Sequence, residues 1–441
     1  MKNDLTKGSI GKALVLFTIP LILSGLLQQV FNWVDAFIVG NVEGELALAA
    51  IGATGSVYHL FVNVIIGFTS GLSVLAAQQC GMGKKEEAQK ALAAFTILLG
   101  GVFFAVAAAG FGFCRQILAV LDTPQNIFGM AKNYLELLFW GVPCLAVYNT
   151  YAAVLRGLGD SRAPFLSVLV SSLANAALDL LLVAVFRFGT RGAAAATLLS
   201  QCAMAVFVVV YAVKKYPYLR FRPQKGLLCA SMLPSGFRFG GPPAVQSAAS
   251  SAGNLVLQRF MNGFGEQTVA AITTAYRVDS VIILPIVNFG SGIATVVAQN
   301  IGAQKPARAK QAVKTGAVMI SAVSICLTLF ILLAGEFLIA MFGLTSDSVA
   351  IGKAFFRTIA SCYLVYGLAM AVRGYLEGIG DLLFSGAAGI AALLVRIAAS
   401  YAFAHRFGNM VIGYAEAFSW VALLLMLACR AFARMKKQDG R

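Results

Sequence analysis

The chain contains twelve long apolar segments, and this feature restricts it to a membrane fold. About 20 apolar residues cross the hydrocarbon core as a helix, and the segments have about that length or more. Of the 441 residues, 59% are hydrophobic and only 12% are charged, with a mean hydropathy of +0.81. These values lie far outside the range of soluble domains, so we predict an all-α polytopic membrane protein. The predicted spans are 13–39, 46–76, 91–113, 132–155, 164–186, 192–213, 234–261, 268–298, 312–334, 354–376, 384–404 and 409–432.

Several functional classes are excluded by what the chain lacks. Little sequence remains outside the spans, and neither HExxH nor GxSxG occurs, so we expect no enzyme. The basic residues are scattered over short loops, which argues against a nucleic-acid partner. The eight cysteines mostly fall inside apolar segments and are interpreted as small core residues. We expect a function within the lipid bilayer, with no bound cofactor.

Lysine and arginine are divided unevenly between the two sets of loops. Those at the N-terminus, the even-numbered loops and the C-terminal tail outnumber those on the opposite side by 23 to 8. Cytoplasmic loops carry this excess, so both termini are predicted to be cytoplasmic, in the plasma (inner) membrane. The net charge of +16 is explained by the same signal and by surfaces that face lipid headgroups.

An internal repeat divides the chain. The segment AAQQCGMGKKEEAQKA (76–91) aligns with VAQNIGAQKPARAKQA (297–312), and GLGD (157–160) aligns with GIGD (378–381). Both alignments have the same offset, which pairs position 76 with 297 and position 157 with 378. Because six spans per half is an even number, both halves enter the membrane from the same side. The repeat therefore predicts a pseudo-twofold axis along the membrane normal, an arrangement that transporters use.

The repeat also predicts the domain boundaries. We expect a six-helix bundle at 1–213 with the ion-coupling site, a cytoplasmic linker at 214–229 and a second six-helix bundle at 230–441. Pro20 in span 1 corresponds within one residue to Pro242 in span 7. Interrupted helices at matching positions indicate a substrate pathway. Small residues that allow close helix packing would give the same pattern.

Span 1 carries a carboxylate, Asp35, where a membrane helix should carry none. An ionisable group there costs about 2.5 to 3.5 kcal/mol on insertion scales, so it needs a partner, a proton, an ion or water. Pro20 removes a helical hydrogen bond on the same span and is predicted to bend it. Asn32, three residues before Asp35, shares its face, and Gln28 lies on the same helix. Both are interpreted as lining a cleft or as supporting the site.

Three further polar side chains lie at a similar depth. Asn175 and Asp179 stand four residues apart on one face of span 5, and Thr197 lies on span 6. At the helical rise per residue, they and Asp35 lie about 7 to 12 Å below the outer ends of their spans. Two carboxylates, an amide oxygen and a hydroxyl suit a hard cation such as Na⁺, and equally a proton shared between the acids. A hydrogen-bonded structural cluster is the alternative.

The second half does not repeat this polar set. The offset of the repeat replaces Asp35 by Val256, Asn175 by Arg396, Asp179 by Ser400 and Thr197 by Phe418. If these polar residues only stabilised the fold that both halves share, we would expect both halves to contain them. Span 8 contains Arg277 and Asp279, which lie two residues apart and on different faces. They are interpreted either as lining a cleft or as binding neighbouring helices.

These pieces resemble the multidrug and toxic compound extrusion (MATE) family. The resemblance rests on Pro20 with VDAFIVG (34–40), the small-residue loops after spans 2 and 8, the two G-x-G-D loops and NAALD (175–179), and covers nearly the whole chain. It implies a V-shaped pair of six-helix bundles and alternating access. In the DinF-like branch, residues matching Asp35, Asn175, Asp179 and Thr197 form a cation or proton site, while acids in spans 7 and 10, typical of another branch, are absent here.

The resemblance predicts an antiporter that exports amphipathic, often cationic compounds in exchange for protons or sodium. We expect a monomer whose partners are these small molecules and the bilayer. The alternative is a flippase for lipid-linked saccharides, a function of related folds. A flippase should offer arginine and lysine for phosphate, whereas the first half offers buried acids, which favours cationic cargo.

Overall fold

The computed structural model describes residues 4–220 and 232–439, and these residues form helices without a strand. The α-helices are α1 (Ile10–Glu43), α2 (Glu45–Gly81), α3 (Lys85–Gly112), α4 (Cys114–Val120), α5 (Gln125–Gly157), α6 (Arg162–Asp179), α7 (Gly189–Lys215), α8 (Met232–Asn262), α9 (Glu266–Ile282), α10 (Leu284–Gly302), α11 (Pro306–Ala340), α12 (Ser346–Ala360), α13 (Tyr363–Gly378), α14 (Leu382–Phe407) and α15 (Val411–Asp439). A π-helical segment, Leu180–Val185, continues α6.

Nine helical stretches of the described residues are long and apolar enough to cross a membrane, or ten if the bent pair α12 and α13 counts as one span. The last of the nine, Leu382–Lys437, contains α14 and all but the end of α15, which correspond to the last two predicted spans. The predicted span 8 is divided into α9 and α10, and span 7 coincides with α8. Each of the twelve predicted spans thus lies on one helix or on two consecutive helical segments.

By its contacts the chain divides into two compact units. The first unit is Leu23–Ala244, and the second unit comprises Met1–Ile22 and Val245–Arg441. The chain changes unit two residues after Pro20 in α1, and one residue after Pro243 in α8. The predicted bundle boundaries stay a prediction, and residues 221–229 of the predicted linker lie outside the described residues.

Small residues allow close helix packing in the first unit. A Cβ atom on Gly157 of α5 would lie 2.7 Å from the carbonyl oxygen of Ser73 and from Cβ of Ala76, both on α2. A larger residue would therefore push α5 away from α2. Since lipid tails are as apolar as leucine, close van der Waals packing of this kind drives helices together in a bilayer.

In the second unit, the segment that precedes α1 is held by side chains of α10. The backbone N–H of Leu5 donates to Oε1 of Gln299 at 3.2 Å, and Nδ2 of Asn300 donates to the carbonyl oxygen of Leu5 at 3.3 Å. Leu5 itself is buried. These contacts explain why the first residues of the chain belong to the second unit.

The repeated G-x-G-D loops have the same construction. Gly159 and Gly380 adopt φ of 83° and 91°, a conformation that glycine allows at little cost. Asp160 then accepts a hydrogen bond from Nζ of Lys215 at 2.7 Å, and Asp381 accepts from Nε of Arg430 at 2.8 Å. In each half, this loop carboxylate is therefore bound to the last helix of that half.

Candidate functional site

Two carboxyl groups of the first unit approach each other without a hydrogen-bond donor. Asp179, the last residue of α6, is fully buried, and neither of its carboxylate oxygens meets a donor among the described residues. Asp35 on α1 is half-buried, and its Oδ1 atom is also buried without such a partner. The two carboxyl groups lie within hydrogen-bonding reach of each other.

This arrangement has a direct chemical meaning. An ionised carboxylate only accepts hydrogen bonds, so two of them cannot bind each other, and at this separation they repel. A proton on one of the acids would let it donate to the other. A small cation would be attracted by both. The pair is therefore suited to hold a positive charge, because an uncompensated buried carboxylate is costly.

A tyrosine connects Thr197 to the acids. Tyr134 on α5 is buried, and its hydroxyl lies close to Thr197 on α7 and near both carboxyl groups. Thr197 donates its own hydroxyl proton to the carbonyl oxygen of Ala193 at 3.0 Å, so its hydroxyl oxygen remains available as an acceptor. Thr197 thus belongs to the surroundings of Asp35 and Asp179 through Tyr134.

Sequence reasoning missed two further polar residues near this tyrosine. Gln201 lies one helical turn after Thr197 and donates through Nε2 to the hydroxyl of Tyr58 on α2 at 2.5 Å. Tyr58 and Tyr134 contribute to the same apolar cluster. Gln201 could have been predicted from the sequence, because it lies four residues after Thr197 and therefore on the same face of the helix. Tyr58 and Tyr134 gave no signal, because aromatic residues are common in bilayer helices.

The other predicted site residues are placed differently. Asn175 lies one turn before Asp179, half-buried, and its Nδ2 atom is buried without an acceptor among the described residues. Gln28 and Asn32 are exposed on α1. Pro20 lies inside α1, which remains helical on both sides of it, and a bend there stays a prediction.

The backbone changes character at Asp179. The following six residues, Leu180–Val185, form a π-helix, and the N–H of Phe186 donates to the carbonyl oxygen of Leu181 at 2.9 Å. Short π-helical segments are rare and frequently occur at functional sites. The wider turn changes the direction of every side chain that follows Asp179 relative to a continuous α-helix.

The second unit contains a different polar cluster, on α9, α13, α14 and α15. Nη2 of Arg396 donates to Oε2 of Glu416 at 3.1 Å and to the hydroxyl of Tyr276 at 2.6 Å. Tyr276 in turn donates to Glu416 at 2.9 Å. Asp279 is buried and accepts a hydrogen bond from the hydroxyl of Tyr363.

Asp279 and Tyr363 lie where two helices are interrupted. Asp279 is in the last turn of α9, and Tyr363 is the first residue of α13, which is bent by 45° from α12. Their hydrogen bond therefore joins two interruptions inside the second unit. Arg277 is exposed, so it and Asp279 have different surroundings. Glu416 had no assigned face from sequence, because its partner Arg396 lies on another helix.

No group of three or more His, Cys, Asp or Glu side chains suited to a metal occurs in the part of the chain that the structure describes. The candidate site contains two acids, Asp35 and Asp179, and a tyrosine and a threonine contribute further oxygens near them. These oxygen ligands suit a hard monovalent cation or a proton rather than a transition metal.

The two halves of the chain each match the same protein-family model. A family model described as MatE matches residues 20–181 and, a second time, residues 242–402. The two matches have nearly the offset that the internal repeat predicts. They begin at Pro20 and Pro242, each two residues before the last residue of a unit segment.

Individual proteins resemble the chain over most of its length. The probable multidrug resistance protein YpnP of Bacillus subtilis (strain 168) is 29% identical over 382 residues, which cover 86% of this chain and 85% of the relative. The multidrug export protein MepA of Staphylococcus aureus (strain MSSA476) is 23% identical, with 85% and 83% covered.

A solved structure has the same fold. It is described as the outward-facing conformation of a multidrug resistance MATE family transporter of the MOP superfamily. The TM-score is 0.91 at 21% identity, over 100% of this chain and 99% of that one. The likeness confirms the predicted all-α fold of twelve spans.

Proposed function

The chain belongs to the MatE family of transporters, and from this premise we propose that it is an ion-coupled antiporter. It exports amphipathic, often cationic compounds in exchange for protons or sodium by alternating access. The names of YpnP and MepA, multidrug resistance and multidrug export, support small organic molecules as the cargo. We also propose the DinF-like branch, because Asp35, Asn175, Asp179 and Thr197 are all present.

One observation carries this proposal: Asp179 is fully buried, no described residue donates to it, and another acid, Asp35, lies beside it. Buried acids in membrane helices usually mark ion or proton pathways. A purely structural carboxylate would be expected to have a hydrogen bond or a basic partner.

In the proposed cycle, the coupling cation neutralises the pair formed by Asp35 and Asp179. The repulsion between the acids then disappears, and α1, which carries Asp35 and Pro20, changes its packing in the first unit. An organic cation is attracted by the ionised pair and loses this attraction when the coupling cation is bound. Antiport follows because both cations bind the same ionised acid pair, so that the binding of one disfavours the binding of the other.

Protons and sodium place different demands on this site. A proton needs only the two carboxyl groups, since one protonated acid donates to the other. Sodium needs additional oxygen ligands, for which Thr197 and the amide oxygen of Asn175 are the candidates. The proposal includes both ions, and the experiment below separates them.

The flippase alternative is not favoured. The relatives found are named for drug resistance or export, and the acid pair repels a lipid phosphate. We further propose a monomer in the plasma membrane with both termini cytoplasmic, as the lysine and arginine distribution predicts. Fusions of a reporter that works on one side of the membrane to either terminus test this orientation.

The experiment is transport in proteoliposomes that contain the full chain, with ethidium as a fluorescent organic cation. An imposed proton gradient, a sodium gradient or neither is applied to the parent and to Asp35→Asn. Asp122→Asn is the matched control, because Asp122 is exposed in a loop at φ 49°, which asparagine tolerates.

We expect one of the two gradients to drive ethidium transport by the parent and by Asp122→Asn. Asp35→Asn should lose this dependence. Gradient-driven transport by Asp35→Asn at the parent rate would contradict the proposed site. An absence of gradient-driven transport in a folded, reconstituted parent would contradict the antiport itself.

A further inference from the structure

Two cysteines of neighbouring helices are in contact inside the first unit. Cys144 lies on α5 and Cys202 on α7, and their Sγ atoms are 3.0 Å apart. Both side chains are half-buried, and both thiols are free. A disulfide bond has a length of about 2.05 Å, so the two sulfur atoms need to move about 1 Å to form one.

The same close packing brings Cys144 to Cys202 and positions the polar residues near the acids. Gly141, three residues before Cys144, lies against Gln201, and a Cβ atom on Gly141 would overlap the Gln201 side chain. Gln201 precedes Cys202 and donates to Tyr58. The thiol pair therefore lies beside the interface that holds Gln201 in place.

The second half of the chain has no sulfur at the equivalent positions. The offset of the repeat pairs Cys144 with Val365 and Cys202 with Leu423. Both of these apolar residues pack in the core of the second unit. An apolar contact is thus sufficient for this helix interface, and the two thiols add a reactivity that packing does not need.

We propose that Cys144 and Cys202 are a redox modification site that forms a reversible disulfide between α5 and α7. Each thiol gives up its hydrogen, one S–S bond forms, and two electrons with two protons pass to a lipid-soluble quinone, which becomes the hydroquinone. A dithiol reductant reverses the reaction by thiol–disulfide exchange. Because the pair lies within membrane-spanning helices, the oxidant must dissolve in the bilayer.

The consequence for transport rests on the proposed function. Tyr134 lies on α5, whereas Thr197 and Gln201 lie on α7, so a covalent bond between these helices restrains both sides of the tyrosine–threonine contact. Any step of the cycle in which α5 moves relative to α7 is slowed in the oxidised protein. Oxidation would therefore reduce export, and reduction would restore it.

The chemical test uses the purified full chain in liposomes, treated with decylubiquinone and then with an alkylating reagent. Thiols that still react are counted by intact mass, and peptide mapping identifies the bonded pair. The variants are Cys144→Ser, Cys202→Ser and the control Cys326→Ser, which changes an exposed cysteine on α11. Size-exclusion profiles verify folding, and Cys144→Ala replaces the serine variant if serine disturbs the packing.

The parent and Cys326→Ser should lose the two thiols of residues 144 and 202, and a dithiol should restore them. Cys144→Ser and Cys202→Ser should show no such loss. An unchanged thiol count in the parent, or a bond between other cysteines, would overturn the proposal. This readout needs no transport, so it remains valid even if the antiport proposal fails.

The functional test measures ethidium transport by the same liposomes before and after oxidation. The oxidised parent should transport several-fold more slowly and recover with the dithiol, while Cys144→Ser should be unaffected by either reagent. A disulfide that forms fully without slowing the parent would overturn the regulatory role.

Discussion

The polar cluster of each unit contains two acids, but among the described residues only the cluster of the second unit also contains a base. In the first unit, Asp35 and Asp179 face each other, and no described lysine or arginine forms an ion pair with either. In the second unit, Arg396 binds Glu416, and Asp279 accepts from Tyr363. Both clusters thus contain two acids, and the presence of a compensating positive charge distinguishes them.

The repeat makes this difference specific to one position. Arg396 occupies the place that Asn175 has in the first half, by the offset that also pairs the two G-x-G-D loops. An amide leaves the nearby acids uncompensated, whereas a guanidinium neutralises one of them. The repeated helical framework thus supports two kinds of buried cluster. The cluster of the first unit is suited to binding a cation, and the cluster of the second unit contains a cation already, the guanidinium of Arg396.

The largest effect on stability is expected from Arg396→Ala. This change leaves Glu416, whose side chain is 9% exposed, without its cation. Breaking a buried ion pair by removing one partner costs about 3 to 5 kcal/mol. Thermal unfolding in detergent should show a clear decrease in Tm. Arg277→Ala, at an exposed arginine, is the control and should have little effect; equal losses in the two variants would remove the distinction between compensated and uncompensated clusters.

Asn175→Arg gives the first unit the residue that the second unit has. The new guanidinium, one turn from Asp179, would neutralise the acid pair and compete with the coupling cation. Gradient-driven ethidium transport should fall by about tenfold or more, a change of about 1.4 kcal/mol, while thermal stability is maintained. Asn175→Gln serves as the control. If the arginine variant transports as well as the glutamine variant, the charge of this position does not matter.

Tyr363→Phe removes the hydroxyl that donates to Asp279. A buried acceptor that loses its partner costs about 1 to 3 kcal/mol, so a moderate decrease in the unfolding temperature is expected. Transport should retain its dependence on the ion gradient, because the second cluster is not the proposed coupling site. Tyr401→Phe, at an exposed tyrosine, provides the comparison. A loss of ion dependence in Tyr363→Phe with intact folding would assign coupling to the second unit.

The smallest effect concerns Asp381, in the loop between α13 and α14. Burial acts to raise the pKa of this carboxyl, but hydrogen bonds from Arg430 and Arg434 outweigh it and hold the pKa below its ordinary value. A lowered folded-state pKa stabilises the protein above the unfolded-state value of about 3.9, and this contribution is lost as the pH falls through the folded-state pKa. Asp381→Asn should therefore flatten the loss of thermal stability in acid, below about pH 4, by about 1 kcal/mol or less. If the thermal stability of parent and variant decreases equally with falling pH, the proposed contribution of Asp381 is contradicted.

Much of the fold could be predicted because hydropathy and the offset of the repeat depend on residue type alone. The depth of Asp35, Asp179 and Thr197 along their helices follows from counting residues, since each residue adds a fixed rise to an α-helix. The rotation of a helix about its axis does not follow from depth. For this reason the sequence could not show that Gln28 and Asn32 are exposed while Asp35, on the same helix, is half-buried.

Contacts between helices were also beyond sequence reasoning. Tyr134 contacts Thr197 from a different helix, and Glu416 meets Arg396 across α14 and α15. The contact between Cys144 and Cys202 depends on how closely α5 approaches α7, which Gly141 determines only together with Gln201. Such pairs require the packing of two helices to be known, and no motif in the chain marks them.

The central claim is that the coupling cation and the organic cation compete at the acid pair of the first unit. Its most direct test is to add ethidium to the purified full chain and to measure released cations, protons with a pH dye in weak buffer and sodium with a radioactive tracer. The parent and Asp279→Asn should release a cation on ethidium binding, and Asp179→Asn should release none. Release by a folded Asp179→Asn, or its loss in a folded Asp279→Asn, would contradict the account.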